Sequence, residues 1–308
     1  MMDLHELQVF LVAAETENFS ETGRILQISQ PAVSGHIQSL EQRVKAQLFD
    51  RTGRNIKLNE IGLALVPMAR NLLKEAQQVE EFIALRRGTV VGQLTVGCST
   101  AAGKYILPKI MARFLESHPN VRIACDVGPR GRALDRLCAG EIELAISSLR
   151  IPRHSVEYRH FSDDLLVLIA PLDHPWAAAE DGIAVDDLLE YPIILRETGS
   201  GTSITINREL AAFDMSVDML KSRLMLANTE SIVQAVAEGI GPAFVSQMSA
   251  VPMLRQGLVV EVPVRGLSLI QRLHMARHTG FHATEVQTAF WDFAFAPENE
   301  DLRHTFTS

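Results

Sequence analysis

NFSETGRILQISQPAVSGHIQSLEQRVKAQLFDRTGR, residues 18–54, reads as two short helices joined by a tight turn and followed by a basic hairpin. In the second helix Val33, Ile37, Leu40 and Val44 recur at steps of four and three, which puts them on one face. Ser29 is placed to cap its first turn, and Pro31 falls inside that turn, where a missing N–H costs nothing. The opposite face carries Gln30, Ser34, Gly35 and Gln38, all short or polar. A helix with an apolar back and a small polar front fits the major groove of duplex DNA, where side chains meet base edges. An ordinary surface helix of a small bundle has the same spacing, so periodicity alone leaves both readings open.

Upstream, Leu4, Leu7, Val9, Phe10 and Ala13 predict a first helix packed beneath the pair, and Ser20 reads as the cap of the next. Downstream, Leu48 and Phe49 anchor the hairpin, Thr52-Gly53 make its turn, and Arg51, Arg54 and Lys57 face a phosphate backbone. The formal net charge of −8 has to be localised before it is used. Residues 1–42 set Arg24 against Asp3, Glu6, Glu15, Glu17, Glu21 and Glu41, whereas residues 43–57 set Arg43, Lys45, Arg51, Arg54 and Lys57 against Asp50. A local patch of this kind suffices for phosphate contacts, which supply much of the affinity for DNA.

Asn59 reads as the cap of a long helix reaching about Arg86. Along it Leu65, Ala69, Leu72, Ala76, Val79 and Ile83 follow the four-and-three steps of a heptad seam, with Pro67 interrupting the second turn. About 27 residues span about 40 Å, more than one domain needs, which favours a dimer seam over burial. From Val91 the pattern changes to strands alternating with helices, which predicts parallel sheets covered by helices on both faces. The chain is expected to cross between two lobes near 159–164 and again near 263–269.

The run FSETGRILQISQPAVSGHIQSLEQRVKAQLFDRTGRNIKLNEIG resembles the N-terminal domain of LysR-type transcriptional regulators almost position for position, and the match continues through the rest of the chain. The resemblance implies an all-α-type winged helix-turn-helix in 1–58, a long linker and dimerisation helix in 59–88, and an α/β effector-binding domain of periplasmic-binding-protein type in 89–308. Lobe I of that domain covers about 91–162 and 267–296, and lobe II about 163–266. Ser20, Ser29, Gln30, Pro31, Ser34, Gln38, Arg51, Thr52 and Arg54 are then the expected DNA contacts, and Leu65, Leu72, Val79 and Ile83 the dimer contacts. Expected partners are double-stranded promoter DNA, a small-molecule effector, a second copy as homodimer or dimer of dimers, and RNA polymerase. Two departures stand out: the alanine pair usual in the first helix of the motif is Thr22-Gly23, and the usual long basic or amide side chain of the recognition helix is replaced by Gly35.

In α/β lobes, ligands sit at the carboxyl ends of strands, against helix N-termini that carry partial positive charge. Ser99-Thr100, the turn Gly199-Ser200-Gly201-Thr202 and Asn228-Thr229 occupy such places, and Ser147 and Ser148 end another strand. Together they predict a small anionic effector. Family members often follow GSGT with arginine, here Ser203, so positive charge has to come from Lys104, Arg130 or Arg196 if it is needed. The stretch NTESIVQAVAEGIGPAFVS looks like the branch of carbon- and sulfur-assimilation activators.

Other classes fare worse. No GxSxG, P-loop, HExxH or metal-spaced Cys/His cluster occurs, so no catalytic residue, metal or cofactor is expected. A solute-binding sensor without a transcriptional role fits the α/β half alone and leaves the N-terminal motif unexplained, and a cryptic enzyme has no motif behind it. No stretch approaches the ~18 apolar residues of a membrane span, and the acidic N-terminus MMDLHELQVF is not a secretory signal, which points to the cytoplasm. Cys98, Cys125 and Cys138 form no CxxC; the odd count argues against a disulfide framework, and Cys125 and Cys138 read as inert core residues.

Overall fold

The computed structural model describes residues 3–303 apart from 53, 54, 87, 88 and 152–154, and the backbone alone of 51, 52, 55, 85 and 130. It divides into two units. The first holds residues 1–92 together with 139–141 and 281–285. Its helices are α1 (Leu4–Thr16), α2 (Phe19–Leu26) and α3 (Gln30–Val44), followed by strands β1 (Phe49–Thr52) and β2 (Asn55–Leu58) and the long α4 (Glu60–Arg86).

Each of these helices is started by a side chain. Asp3 accepts from His5 N–H at 2.9 Å, Ser29 from Ala32 N–H at 3.3 Å, and Asn59 from Gly62 N–H at 2.9 Å. For α2 the cap is Asn18, which accepts from Ser20 and Glu21 N–H at 2.9 and 3.2 Å, so Ser20 lies within the first turn and not at the cap expected of it. Thr52 pairs with Asn55 and is a strand residue, not a turn residue; Gly53 and Arg54 lie outside the described residues.

Leu7, Phe10, Val33, Ile37, Leu40, Leu48 and Phe49 form a fully enclosed core under α3. Two carboxylates are buried beside it. Glu6 pairs with Arg43 at 3.2 Å and accepts from Ser39 Oγ at 2.6 Å, while Glu41 accepts from Leu48 N–H at 2.9 Å. Both therefore belong to the packing, not to the surface charge in which the sequence reading counted them. Arg43 is accordingly engaged from beneath and contributes less to the basic patch than its position suggested.

α4 has two different halves. Ala69 is fully buried, and Leu65, Val66 and Leu73 pack against the core of the helix-turn-helix. Leu65 is therefore turned toward its own domain, which corrects its place in a seam of seven-residue period. Leu72, Val79, Phe82 and Ile83 remain 42, 60, 50 and 49% exposed. Pro67 sits within the helix without ending it. Arg70 pairs with Glu141 at 3.0 Å, and Gln78 donates to the His282 carbonyl at 3.0 Å, which ties the two short excursions of the chain to α4.

The second unit begins with β3 (Gly92–Cys98), then a π-helix at Ala102–Ile106 that runs into α5 (Leu107–Ser117). β4 (Val121–Val127), α6 (Arg130–Cys138), β5 (Leu144–Ser147) and the 15-residue β6 (Val156–Ala170) follow. After them come β7 (Leu195–Arg196), α7 (Gly201–Leu210), β8 (Met225–Leu226), α8 (Thr229–Ala237), β9 (Ala243–Ser246) and α9 (Gln247–Arg255). β10 (Val260–Val262), β11 (Leu269–His278) and α10 (Glu285–Phe295) close the fold. α9 escaped the sequence reading because Pro252, a helix breaker, stands inside it. Between β6 and β7 the chain makes a 3-10 turn at Asp186–Leu189.

Seven strands share one sheet in the order β10-β6-β11-β5-β3-β4, with β9 also pairing β6. The sheet is mixed, not parallel. β3 and β5 run parallel, but β11 is antiparallel to β5 and β6, and β6 is antiparallel to β9 and β10. β6 and β11 cross between the lobes side by side, with a bulge at Leu273/His274 opposite 160–162. The second crossing thus falls inside β11, later than 263–269. Along β6, Leu166, Leu168 and Ala170 enter one core with Trp176, Leu188 and Phe244, while Val167 and Ile169 enter another with Ile232, Val236 and Val245. Burial on both faces explains why this strand lacks the alternation of a half-exposed one.

Candidate functional site

Two regions carry chemistry. In the first unit α3 presents Gln30, Pro31, Gly35 and Gln38 to solvent, with Ser34 half-buried beside them, while Val33, Ile37 and Leu40 on its apolar side are enclosed. Ser29 Oγ is taken by the cap, so its own role is to start the helix. The two departures in the motif have opposite settings. A Cβ on Gly23 would lie 2.7 Å from the Ile28 carbonyl oxygen, because Ile28 N–H bonds to the Gly23 carbonyl at 2.9 Å across the turn. Its neighbour Thr22 is fully buried and bonds to Thr16 Oγ1 and the Asn18 carbonyl, both at 2.8 Å. A Cβ on Gly35 would meet nothing within 4 Å.

In the second unit a cleft of about 540 Å³ opens between the lobes. Ser99 and Thr100 line it from the end of β3, Ser148 from beyond β5, and Gly199, Ser200, Gly201 and Thr202 from the start of α7. Thr229 lines it from the start of α8, and Asp164, Ser246 and Gln271 from the crossing strands and β9. Ser200 Oγ caps α7 through Ser203 N–H at 3.1 Å, and Asn228 caps α8 through Ser231 N–H at 3.0 Å. The first-turn N–H groups beyond those caps have no intrahelical acceptor, and they carry the positive end of each helix dipole. The turn before α7 uses Gly199 at φ 84, and a Cβ on Gly201 would lie 2.7 Å from Ser148 Oγ and 2.9 Å from the Gln271 side-chain amide. A side chain at 201 would have to displace the Ser148 hydroxyl and the Gln271 amide from the cleft wall.

The polar atoms of the cleft are under-used. Ser99 Oγ, Ser148 Oγ and Gln271 Oε1 are buried without a hydrogen-bond partner, a cost that a bound ligand or ordered water would remove. Asp164, 1% exposed, accepts from Ser246 Oγ at 2.6 Å, and burial pushes its carboxyl up to about 7. Arg196 donates from Nε and Nη2 to Glu197 at 2.8 Å each, and from Nη1 to Thr229 Oγ1 at 2.6 Å. Across the mouth, Lys104 of the π-helix pairs with Glu230 of α8 at 3.1 Å, and Tyr105 Oη donates to the same carboxylate at 3.2 Å. Of the cations expected to serve the site, Arg196 and Lys104 are thus held by acids, and the Arg130 side chain lies outside the described set.

Two family models cover this chain. The bacterial regulatory helix-turn-helix protein of the lysR family matches residues 4–63, and the LysR substrate binding domain matches residues 87–296. The chain belongs to the LysR-type transcriptional regulators. The HTH-type transcriptional activator CmpR of Synechocystis is 28% identical over 293 residues, 95% of each chain. Among solved structures, a full-length OxyR variant from Pseudomonas aeruginosa aligns with a TM-score of 0.71 at 20% identity, covering 100% of this chain and 99% of that one. The Synechocystis CcmR regulatory domain, solved in complex with 2-PG, aligns with a TM-score of 0.60 at 26% identity, covering 67% of this chain and 96% of that one. The protein is a DNA-binding regulator controlled by a small molecule.

For this LysR-type regulator the cleft brings together Ser99, Thr100, Ser148, Gly201, Thr202 and Thr229 of the residues singled out in the sequence. It does not gather Ser147 or Asn228: Ser147 is enclosed and accepts from Leu149 N–H at 3.0 Å, and Asn228 is spent on its cap. Asp164, Ser246 and Gln271 were missed. They sit on strands whose pairing, invisible in the local pattern, delivers them to the cleft; an acid inside the apolar run DLLVLIA was the one available signal. Among the described residues no helix is long and apolar enough to cross a membrane, and no His/Cys/Asp/Glu group could hold a metal ion.

The glycine contrast yields a prediction. Gly35→Ala is expected to stabilise the DNA-binding domain by about 0.5–1 kcal/mol, the ordinary helix preference. Gly23→Ala should destabilise it by about 1–3 kcal/mol, because the new methyl meets backbone that cannot step aside. Urea unfolding of the full chain checks both, and equal signs for the two changes would overturn the reading.

Proposed function

We propose that this regulator works in the cytoplasm as a dimer or dimer of dimers, reading promoter DNA with α3 and its hairpin under control of a small anion bound in the cleft. Gln30, Pro31, Ser34 and Gln38 face base edges, while Arg51, Thr52 and Arg54 reach the phosphates. The anion reading is supported above all by the starts of α7 and α8 converging on one cleft in which Ser99 Oγ, Ser148 Oγ and Gln271 Oε1 lack partners. Arg196, the one cation among the described lining residues, is held by Glu197. Recognition therefore relies on N–H and O–H donors, which favours a compact anion whose oxygens can accept from several of them at once. 2-PG, found with the CcmR regulatory domain, is our first candidate. Closure of the lobes on the ligand shifts a pre-existing equilibrium, alters packing between subunits and changes how RNA polymerase is engaged. The ligand is sensed and released unchanged.

A thermal-shift panel of 2-PG, sulfate, phosphate and small carboxylates on the full chain tests this. At 100 times its dissociation constant a ligand stabilises by about 2.7 kcal/mol. Gly201→Val, which fills the space at Ser148 and Gln271, should abolish the shift and leave DNA binding intact. A panel without any shift would sink the anion reading. The DNA reading rests separately on the salt dependence of binding: Arg51→Ala with Arg54→Ala should reduce the slope of log K against log salt by about two. An unchanged slope would remove the hairpin from the interface.

A further inference from the structure

Cys125 and Cys138 were expected to be inert core residues, and the structure separates them. Cys98, at the end of β3, is fully buried; Cys125, on β4, is exposed; Cys138 packs half-buried elsewhere, beside Leu134 and Leu137. The Sγ atoms of Cys98 and Cys125 lie 3.5 Å apart. We propose that Cys98 and Cys125 form a dithiol that hydroperoxides convert to a disulfide, and that this modification acts on the β3 side of the effector cleft.

The two thiols are suited to different halves of such a reaction. Cys125 is reachable from solvent, and the Cys98 S–H beside it holds its thiol below the ordinary range. Cys98 is held well above that range by the same bond and by burial. Reactivity belongs to the accessible thiolate, and the enclosed thiol is protected from direct attack. In the first step the Cys125 thiolate attacks the terminal oxygen of ROOH; the S–O bond forms, the O–O bond breaks, and RO⁻ leaves and takes a proton. In the second, Cys98 sulfur attacks the Cys125 sulfenic acid; the S–S bond forms and hydroxide leaves as water with the Cys98 proton. Two thiols lose two electrons, and the hydroperoxide is reduced to an alcohol and water.

The sulfurs must approach from 3.5 Å to the ~2.05 Å of a disulfide. β4 ends the sheet order, with a strand on one side alone, so it can move toward β3 without breaking another pairing. The consequence reaches the cleft because Cys98 directly precedes Ser99, and because a Cβ on Gly103 of the π-helix would lie 2.6 Å from Cys98 Sγ. No slack separates that sulfur from the turn carrying Thr100. The cleft part of the proposal rests on the effector reading above, and the readouts below need no ligand.

The full chain is titrated with hydrogen peroxide, alkylated and mapped by mass spectrometry. Expected is a Cys98–Cys125 link within one chain, reversed by dithiothreitol, retained in Cys138→Ser and absent from Cys98→Ser and Cys125→Ser. In Cys98→Ser, dimedone should trap a sulfenic acid on Cys125 that wild type resolves at least tenfold faster. Sulfinic acid forming on Cys125 equally fast in both, or a Cys125–Cys125 link between chains, would overturn the proposal. Hydrogen exchange at residues 99–106, reduced against oxidised, should change at least fivefold; unchanged exchange there would overturn the coupling to the cleft.

Discussion

Replacing Asp164 by asparagine is expected to remove a large fall in effector-domain stability between about pH 4 and pH 8. The wild-type carboxyl titrates at about 7 in the folded protein against 3.8 ordinarily, so its folded pKa is raised. Below pH 4 both states hold the proton and nothing is lost. Between the two values the unfolded chain releases its proton while the native chain retains it, so native stability drops steadily as pH rises. Above 7 the full deficit remains, about 4 kcal/mol for a shift of this size. Asparagine keeps an oxygen to accept from Ser246 Oγ but cannot ionise. Urea unfolding of the full chain across this range should therefore show the variant gaining on wild type as pH rises and exceeding it at pH 8. A constant difference between the two curves would show that the carboxyl is ionised throughout. The proposed anion site gives a second readout of the same group: sulfate should bind more weakly to the wild type as pH rises through 7, by about tenfold, and with uptake of a proton, whereas its binding to Asp164→Asn should show neither effect.

The second large effect concerns α4. If α4 forms the proposed dimer seam, Leu72→Glu combined with Val79→Glu should leave monomers in sedimentation equilibrium, raising the dissociation constant at least about a thousandfold. The two positions lie seven residues apart, about 10.5 Å along the helix, on a face that the first unit leaves open. An unpaired charge buried in such a seam costs several kcal/mol. Glu75→Gln, an exposed change on the same helix, serves as the control that should change nothing. A dimer that persists in the double variant would move the interface off α4. Because Leu65 and Ala69 are claimed by the helix-turn-helix core, the predicted seam is confined to about residues 72–83.

Local signals were legible where local chemistry decides. Ser29 and Asn59 cap as their spacing implied, and Val33, Ile37 and Leu40 face the core. Reading failed where pairing decides. β6 and β11 are antiparallel partners separated by about a hundred residues, and nothing within either stretch states its direction. Gln271 and Asp164 meet across that pairing, which is why half of the cleft was invisible from the sequence. Ser20 was misplaced because two nearby residues can each cap, and Asn18 prevailed by reaching two N–H groups at once. The cysteine pair shows the same limit: an odd count argues against a framework of disulfides but not against two thiols that a sheet brings together.

The paired crossing strands have a mechanical consequence. Two hydrogen-bonded strands are stiff against stretching and sideways shear but compliant in torsion, since twist is the natural deformation of a β-ribbon. The lobes hang on such a ribbon instead of on two independent joints, and the bulge at Leu273/His274 marks its softest point. Whatever enters the cleft can thus wind or unwind one lobe against the other far more readily than it can pull them apart. A twist of limited angle is therefore the motion that this ribbon permits most readily between the two lobes.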